Sequence, residues 1–222
     1  MANEKFVVVA YFTVGTPYEE HARKLIQSLS VFILPYDIKP IKDMGDWYAN
    51  MQYKPTFILE MLKKYPKRSI VYVDVDAVFF RYPEYFNYLD TQSTDEIAVH
   101  ILDHTKFARK NQSPELLSGT IYFRNTEKSS IIVREWVEEC KKDKKLWDQK
   151  ALARVLRNYP YHVLPAEYTT IFDYMSSIKH PVIRHYQASR QNRNRRPTSI
   201  PKRKPRIVKS NGVIVKIGRV HK

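Results

Sequence analysis

The sequence predicts an α/β fold in which a mixed, mostly parallel sheet is flanked by helices. Residues 6–13, FVVVAYFT, are apolar without alternation, which is typical of a parallel strand buried on both faces. Apolar runs of this kind then alternate along the chain with segments of helical periodicity, the order that βαβ units require. No GxGxxG motif follows the first strand, which disfavours a dinucleotide enzyme.

Composition limits the chain to one core-bearing domain with an appendage. It has 222 residues, of which 43% are hydrophobic and 13% aromatic, as in folded soluble proteins. The single cysteine, Cys140, excludes an intrachain disulfide, and its helical spacing from Trp136 predicts a core thiol. The longest apolar run, at 6–14, is too short to span a bilayer and lacks signal-peptide flanks, so we expect a cytoplasmic protein.

The residues after the first strand predict a helix. Thr16 is a suitable N-cap, Pro17 is favoured in the first turn, and Glu19 completes a capping box. A short strand at 36–41 is expected next. Because ligands bind beyond the carboxyl ends of parallel strands, this edge should meet the base and ribose of a nucleotide. The residues predicted to contact them are Thr13, Gly15 and Tyr18.

The segment at 45–54, GDWYANMQYK, is rich in aromatic and amide groups but has no clear periodicity, so it is predicted to line a site. Trp47, Asn50 and Lys54 are expected to contact the ligand of this site, with Lys54 as a point charge for phosphate. Packing explains Trp47 equally well. Pro55 is predicted to begin the next helix.

Two carboxylates interrupt the apolar run at 69–80, SIVYVDVDAVFF. The run predicts a buried strand, and alternation places Asp74 and Asp76 on the same side of its carboxyl end. Burying two like charges is costly unless a cation neutralises them. Hard divalent ions such as Mg²⁺ or Mn²⁺ suit oxygen ligands and leave positions for phosphates. The alternative is a chance Asp-x-Asp in a solvated loop.

With the apolar patch and the Tyr-Pro turn after it, this strand resembles the glycosyltransferases of the GT-A type. In that family a DxD motif at such a strand end holds the metal under a nucleotide sugar. The resemblance implies a GT-A domain over residues 1–190 and a metal-dependent transfer of a sugar from a nucleotide-diphosphate sugar, most simply a UDP-sugar, to a hydroxyl acceptor. It also implies that Asp74, Asp76 and a later histidine bind Mn²⁺ or Mg²⁺. His185 is in the matching place and His180 is the second candidate, although a single histidine is often a packing or surface residue.

After the DxD strand, a further strand is predicted at 96–102, followed by a polar loop at 103–114 that could act as an acceptor lid. Residues 117–125, LSGTIYFRN, predict a turn entering a strand. This stretch is similar to the segment of related transferases where backbone and a Ser or Thr face the sugar. The resemblance therefore assigns Ser118 and Gly119 to the donor site.

A helix is predicted from about residue 130 to 142, and the sequence Trp-Asp-Gln follows at 147–149. An acid-Gln pair at a helix start resembles a motif of several nucleotide-sugar transferase families, in which the acid meets the sugar or the acceptor. The resemblance implies catalytic roles for Asp148 and Gln149 and favours retention of configuration. Asp148 is also a good N-cap for a helix at 150–156, and capping alone would explain it.

Residues 180–190 predict a short strand and a turn beyond the core sheet. By the same resemblance, the residues of this segment near the diphosphate are Gln187, Ser189 and Arg190. The Arg190 guanidinium would neutralise charge as the leaving group departs.

Charge is distributed unevenly along the chain. The net charge is +15, yet no Asp or Glu follows Asp173, whereas 14 of the 38 Lys and Arg lie beyond it. The first 173 residues therefore hold 24 basic against 23 acidic side chains. A near-neutral domain with a cationic extension at 191–222 indicates a polyanionic partner, unless the extension only aids solubility. Within it, Asn211-Gly212 between apolar runs predicts a β-hairpin that docks on the domain.

The extension makes nucleic acid the predicted acceptor, specifically a hydroxylated base in DNA such as a virus modifies, which would place the enzyme in the host cytoplasm. An anionic cell-surface polysaccharide or a lipid-linked acceptor would use the same charge. Two other classes stay open. A metal-dependent nuclease would bind its metal at Asp74 and Asp76, and a nucleic-acid-binding protein would carry a degenerate catalytic domain.

Overall fold

The computed structural model describes residues 5–107 and 112–188, together with the strands at 207–210 and 213–216. Five α-helices lie in these residues: α1 Tyr18–Val31, α2 Trp47–Lys64, α3 Glu84–Gln92, α4 Glu127–Lys142 and α5 Asp148–Val155. None of the helices in the described ranges is long and apolar enough to cross a membrane.

Six strands form the main sheet in the order β2-β1-β3-β6-β5-β7. They are β1 Phe6–Thr13, β2 Tyr36–Ile41, β3 Ser69–Val73, β5 Ile97–Leu102, β6 Glu115–Phe123 and β7 His162–Val163. β6 runs antiparallel to both β3 and β5, whereas the other three neighbouring pairs are parallel. The predicted mixed α/β sheet is therefore confirmed.

Helices cover both faces of this sheet. Side chains of α2, α4 and α5, including Phe57, Trp136 and Leu152, form one core. Leu25 of α1 and Phe86 of α3 belong to the core on the other face. Cys140 is buried in the first core as predicted, and burial raises the pKa of its thiol to about 12.

The strand predicted at 69–80 is divided into two, and this prediction was wrong. β3 ends at Val73, and the Asp74–Asp76 segment turns, with the Ala77 amide donating to the Asp74 carbonyl at 2.9 Å. The chain then continues as β4 Ala77–Phe79 in a second sheet, of order β4-β9-β8, with β8 Thr170–Ile171 and β9 Ile183–His185. Two like charges side by side are accommodated better in a turn at the sheet edge than in a buried strand.

Helix α2 begins eight residues before the predicted start at Pro55. The Asp46 side chain caps it by accepting from the Ala49 amide at 3.0 Å, and Pro55 lies inside the helix. A proline leaves the carbonyl four residues earlier, that of Met51, without its helical partner. The Tyr11 hydroxyl donates to the neighbouring Asn50 carbonyl at 2.8 Å and lies 3.5 Å from the Met51 carbonyl, so the freed carbonyl has a long polar contact with β1.

Three further boundaries differ from the sequence prediction. The stretch at 117–125 begins inside β6 rather than in a turn, and β5 has a bulge opposite it. Helix α4 begins at Glu127 because Thr126 caps it. Helix α5 begins at Asp148 itself, so the N-cap role predicted for Asp148 was wrong.

The predicted hairpin in the extension forms as expected. β10 Ile207–Ser210 and β11 Val213–Lys216 pair antiparallel, with Ser210 opposite Val213. The predicted turn residues, Asn211 and Gly212, lie outside the described residues. β10 and β11 make a two-stranded sheet of their own, so the predicted docking as an extra strand is not seen among the strands described.

Removing the cap of α4 tests how its start is set. Thr126→Ala should lower the free energy of unfolding by about 1 kcal/mol, because the Ser129 amide loses its acceptor. Urea denaturation of purified protein measures this loss. Lys128→Ala, an exposed change in the same turn, should have little effect, and an equal loss in both variants would contradict the capping role.

Candidate active site

A cleft of about 910 Å³ opens where β1 and β3 end. Because these parallel strands end at one edge of the sheet, residues far apart in sequence meet there. Twelve residues of the predicted site line it: Thr13, Tyr18, Asn50, Lys54, Asp74, Asp76, Ser118, Gly119, Asp148, Gln149, His185 and Gln187. Gly15 is exposed in the loop after β1 and is not among the lining residues, while Ser189 and Arg190 lie outside the described residues.

A buried ammonium lies at the base of the cleft. The Lys54 side chain of α2 is 5% exposed, and its Nζ lies 2.7 Å from Asp148 Oδ2 and 3.0 Å from Asp74 Oδ1. It also donates to the carbonyl and hydroxyl oxygens of Ser118 in β6 at 3.1 and 3.2 Å. The Lys54 ammonium thus links helix α2 to three other segments: the turn after β3, strand β6 and the start of α5.

The electrostatics of this cluster keep Lys54 charged. Burial alone lowers the pKa of Lys54, but the Asp148 and Asp74 carboxylates outweigh it and raise that pKa well above its ordinary value. These two carboxylates already neutralise the ammonium, so the point charge for phosphate that the sequence suggested is committed within the protein. The structure instead gives Lys54 the task of holding Asp148, whose buried carboxylate also accepts from the Ser118 hydroxyl at 3.0 Å.

Asp74 faces the cleft with 42% of its side chain exposed. Its Oδ1 accepts from the Tyr72 hydroxyl at 2.9 Å. Its partly buried position raises the pKa of Asp74, Lys54 opposes this, and the Asp76 carboxylate adds to the rise. Burial raises the pKa of Tyr72 and of Tyr11 well above the ordinary value, so both remain donors.

Asp76 is held by the segment that follows β9. Its Oδ2 accepts from the Ala188 amide at 2.7 Å, and its Oδ1 lies 3.4 Å from His185 Nδ1. Burial alone raises the pKa of Asp76, but the hydrogen bond and charge of His185 and the Ala188 amide outweigh it, so the pKa is lowered. Asp76 is therefore ionised at neutral pH. The other ring nitrogen of His185 lies 2.8 Å from the Thr120 hydroxyl.

Gly119 leaves open space between Asp74 and His185. A Cβ at this position would lie 3.4 Å from Asp74 Oδ2 and 3.5 Å from His185 Nδ1. The nearest atom, His185 Cε1, would lie 3.3 Å from that Cβ, so a side chain here would crowd the imidazole and occupy part of the space between the two groups. The sequence suggested only that Gly119 belongs to the donor site. It did not reveal that this residue lies against Asp74 and His185.

The donor set suits a hard divalent ion such as Mn²⁺ or Mg²⁺. Asp74 and His185 lie beside Gly119, and Asp76 faces His185 Nδ1 at 3.4 Å, so two carboxylates and an imidazole lie in the same part of the cleft. In the ranges that the structure describes, no three His, Cys, Asp or Glu side chains are spaced to hold a metal as they stand. Asp76 faces His185 and Asp74 faces Lys54 instead, so an ion would enter among groups that pair with one another without it.

A second polar chain runs along the cleft from Gln149. Its amide oxygen accepts from the Ser118 amide at 3.1 Å, and its amide nitrogen donates to Glu115 at 2.7 Å. His104 lies 3.3 Å from Glu115 through Nε2 and 2.8 Å from the Tyr174 hydroxyl through Nδ1. Both ends of the Gln149 amide are therefore fixed.

The sequence analysis missed several residues of this cleft: Tyr11, Tyr72, His104, Glu115 and Tyr174. Strand alternation could have found two of them. Tyr11 and Tyr72 lie two residues before the predicted Thr13 and Asp74, so they point to the same side of their strands. His104 and Glu115 flank the loop that was predicted only as a lid, and no local pattern marks them.

A family model described as nucleotide-diphospho-sugar transferase matches residues 42–216 of this chain. No curated protein matches the sequence. The model match covers the DxD turn, both catalytic candidates at 148 and 149, and His185.

Several solved structures share the fold. A glycosyltransferase involved in the glycosylation of the major capsid of PBCV-1 has a TM-score of 0.63 and 12% identity, over 82% of this chain and 93% of that chain. The glycosyltransferase GlyE of Streptococcus pneumoniae TIGR4, in its apo form, has a TM-score of 0.55 and 14% identity, over 83% of this chain and 55% of that chain. Mouse xyloside xylosyltransferase 1 has a TM-score of 0.50 and 13% identity, over 83% of this chain and 98% of that chain. At these identities the likeness concerns the fold, and it confirms the predicted GT-A architecture.

Replacing Lys54 tests the buried cluster. Lys54→Met should lower the free energy of unfolding by about 3 kcal/mol, because Asp148 is left as an unpaired buried carboxylate. Adding Asp148→Asn should recover much of this loss, and denaturant titration measures both. Lys64→Met, which removes an exposed pair with Asp37, should change stability little. A double variant as unstable as Lys54→Met would contradict the assignment.

Proposed function

The chain belongs to the nucleotide-diphospho-sugar transferase family, and we propose that its cleft transfers a sugar from a UDP-sugar to a hydroxyl group. The observation that carries this proposal is that Asp74 and His185 lie beside Gly119 and Asp76 faces His185, at the edge of the sheet where β1 and β3 end. A divalent cation held by these side chains would neutralise the charge of a nucleotide diphosphate.

The donor is proposed to lie across the carboxyl edge of the sheet. Thr13 and Tyr18 would contact its base and ribose, since both line the cleft at the end of β1. Asn50, Ser118 and Gly119 would contact the sugar side. The diphosphate would lie near three residues of the segment after β9: Gln187, Ser189 and Arg190.

Mn²⁺ or Mg²⁺ would be held by Asp74, Asp76 and His185, and when bound it would stabilise negative charge on the departing diphosphate. Asp76 is ready for this because the Ala188 amide and His185 keep it ionised. Lys54 offsets part of the charge on Asp74 without filling its Oδ2 side.

Asp148 and Gln149 are proposed as the catalytic residues, on the sugar side of the cleft. The Asp148 carboxylate is oriented by Lys54 and Ser118, so it can face positive charge that develops at the anomeric carbon. Gln149 is oriented by Glu115 and the Ser118 amide. A stabilising pair at this centre, with no separate base assigned, fits transfer with retention.

The second candidate concerns the acceptor. The basic extension at 191–222 favours a polyanionic partner. The acceptor hypothesis that this charge supports is a hydroxylated base in DNA, modified in the cytoplasm. An anionic polysaccharide and a lipid-linked acceptor at a membrane surface use the same charge.

Release of nucleotide diphosphate tests the reaction. Wild-type protein with Mn²⁺ or Mg²⁺ should release it from one member of a nucleotide-sugar panel, and chelation by EDTA should abolish release. Asp76→Asn should lower the rate at least about a hundredfold, because a ligand and a charge are lost. Asp37→Asn, which alters an acid outside the cleft, should leave the rate unchanged. Strand cleavage of DNA without any donor would instead indicate the nuclease class.

Salt dependence tests the DNA hypothesis. Binding of the full chain to duplex DNA should weaken at least about a thousandfold between 50 and 200 mM salt if six or more cationic side chains contact phosphates. Fluorescence anisotropy of labelled duplex measures the affinity. An affinity that is flat over this range would remove DNA as the partner of the extension.

A further inference from the structure

Two tryptophans on one wall of the cleft are not explained by packing of the cores. Trp47 opens α2 and Trp147 directly precedes α5, and both side chains line the cleft. Their ring centroids lie 5.6 Å apart at an interplanar angle of 67°. Neither ring packs against the three hydrophobic cores that the described residues form. Large aromatic side chains placed in a cleft rather than a core favour a role in binding.

The two tryptophans are held in a fixed relation. The Gln52 amide, in the second turn of α2, donates to the carbonyls of Leu146 and Asp143 at 2.8 and 2.9 Å. Because Leu146 directly precedes Trp147, these hydrogen bonds tie the segment carrying one indole to the helix carrying the other. A surface that is already ordered loses less entropy when a ligand binds.

Carboxylates border the tryptophan pair. Asp43 and Asp46 line the same wall, just before Trp47 in the chain. Asn50 fixes this loop by donating to Asp43 Oδ1 at 2.8 Å and accepting from the Met44 amide at 3.0 Å. Aromatic faces suit the apolar C–H face of a sugar ring, and carboxylate oxygens accept from its hydroxyls.

The charge of the cleft disfavours an anionic group at this wall. Among the described lining residues there are six carboxylates and a single lysine: Asp43, Asp46, Asp74, Asp76, Glu115, Asp148 and Lys54. That lysine is paired with two of the carboxylates, and the proposed metal would neutralise a diphosphate at Asp74 and Asp76 only. A phosphodiester placed by Asp43 and Asp46 would meet like charge.

We propose that Trp47 and Trp147 form the acceptor subsite and that it takes an uncharged saccharide. The inference rests on the proposed function, since it names the acceptor class of the same cleft. Trp147 and Asp148 line the same cleft, so a sugar on the indole would lie within the cleft that holds the proposed catalytic carboxylate. In the transfer, the bond from the anomeric carbon to the diphosphate breaks, the acceptor oxygen bonds to that carbon, and the hydroxyl proton leaves with the nucleotide diphosphate.

Tryptophan emission tests this subsite without turnover. Full-length protein with Mg²⁺ and UDP is titrated with methyl β-glucoside, methyl β-galactoside, lactose and maltose. At least one saccharide should change the emission, since Trp136 is buried in the core and the other two indoles line the cleft. Trp147→Ala should weaken the binding of that saccharide about tenfold, because an aromatic anchor of the subsite is truncated. Trp147→Phe should recover most of the affinity.

Tyr88→Ala, an exposed aromatic change outside the cleft, serves as the control and should bind as the wild type does. The inference is overturned if no saccharide changes the emission, or if Trp147→Ala binds as tightly as wild type. It is also overturned if donor is consumed only with DNA that carries hydroxymethylated bases. Saccharide binding that depends on Trp147, without release of nucleotide diphosphate from any donor, would keep the subsite and reject the transferase reaction.

Discussion

The burial of one ammonium between two carboxylates is the constraint on which this cleft depends. Lys54 is almost inaccessible to solvent, so removing either partner would leave a charge that the interior solvates poorly. Because Asp148 starts α5, Asp74 follows β3 and Ser118 belongs to β6, the ammonium keeps these elements in one arrangement. The interaction therefore orders this wall of the cleft before any ligand binds, as electrostatic preorganisation of the proposed catalytic residues would require.

Placing Lys54 there imposes a condition on α2. The helix has to reach the sheet edge with Lys54 on its inner side, directly before Pro55, and a proline inside a helix costs a hydrogen bond. The Tyr11 hydroxyl meets this cost by approaching the carbonyls of Asn50 and Met51. Burial keeps that hydroxyl protonated. The tyrosine at the end of β1 therefore serves the catalytic cluster indirectly, by allowing the helix that carries the lysine.

The extent to which the sequence was predictive follows from the range of each interaction. Apolar periodicity predicted β1, α1 and the mixed sheet because this signal lies within a few residues. The N-cap of α1 predicted at Thr16 was wrong by one residue, since Pro17 occupies that position and makes no side-chain cap hydrogen bond. Pro55 was wrongly predicted to start a helix because Tyr11, which approaches the freed carbonyl, comes from β1 and is remote in sequence. Capping, the alternative role for Asp148, is wrong because its carboxylate pairs with Lys54, which is far away in the chain. The carboxyl-edge rule and the family resemblance were enough to bring Asp74, Asp76 and His185 into the same cleft, and their role as metal ligands stays a prediction.

Charge divides the molecule into two parts with opposite preferences. The cleft is acidic apart from a lysine that is already paired, whereas the extension has basic side chains and no acids. A polyanion attracted by the extension would be repelled at the wall of Asp43 and Asp46, so one uniformly charged ligand does not satisfy both parts. A polymer that carries anionic groups beside uncharged sugar residues does satisfy both. The extension would bind the anionic groups and raise the local concentration of neutral residues at the cleft, so affinity and acceptor choice would reside in different parts of the chain.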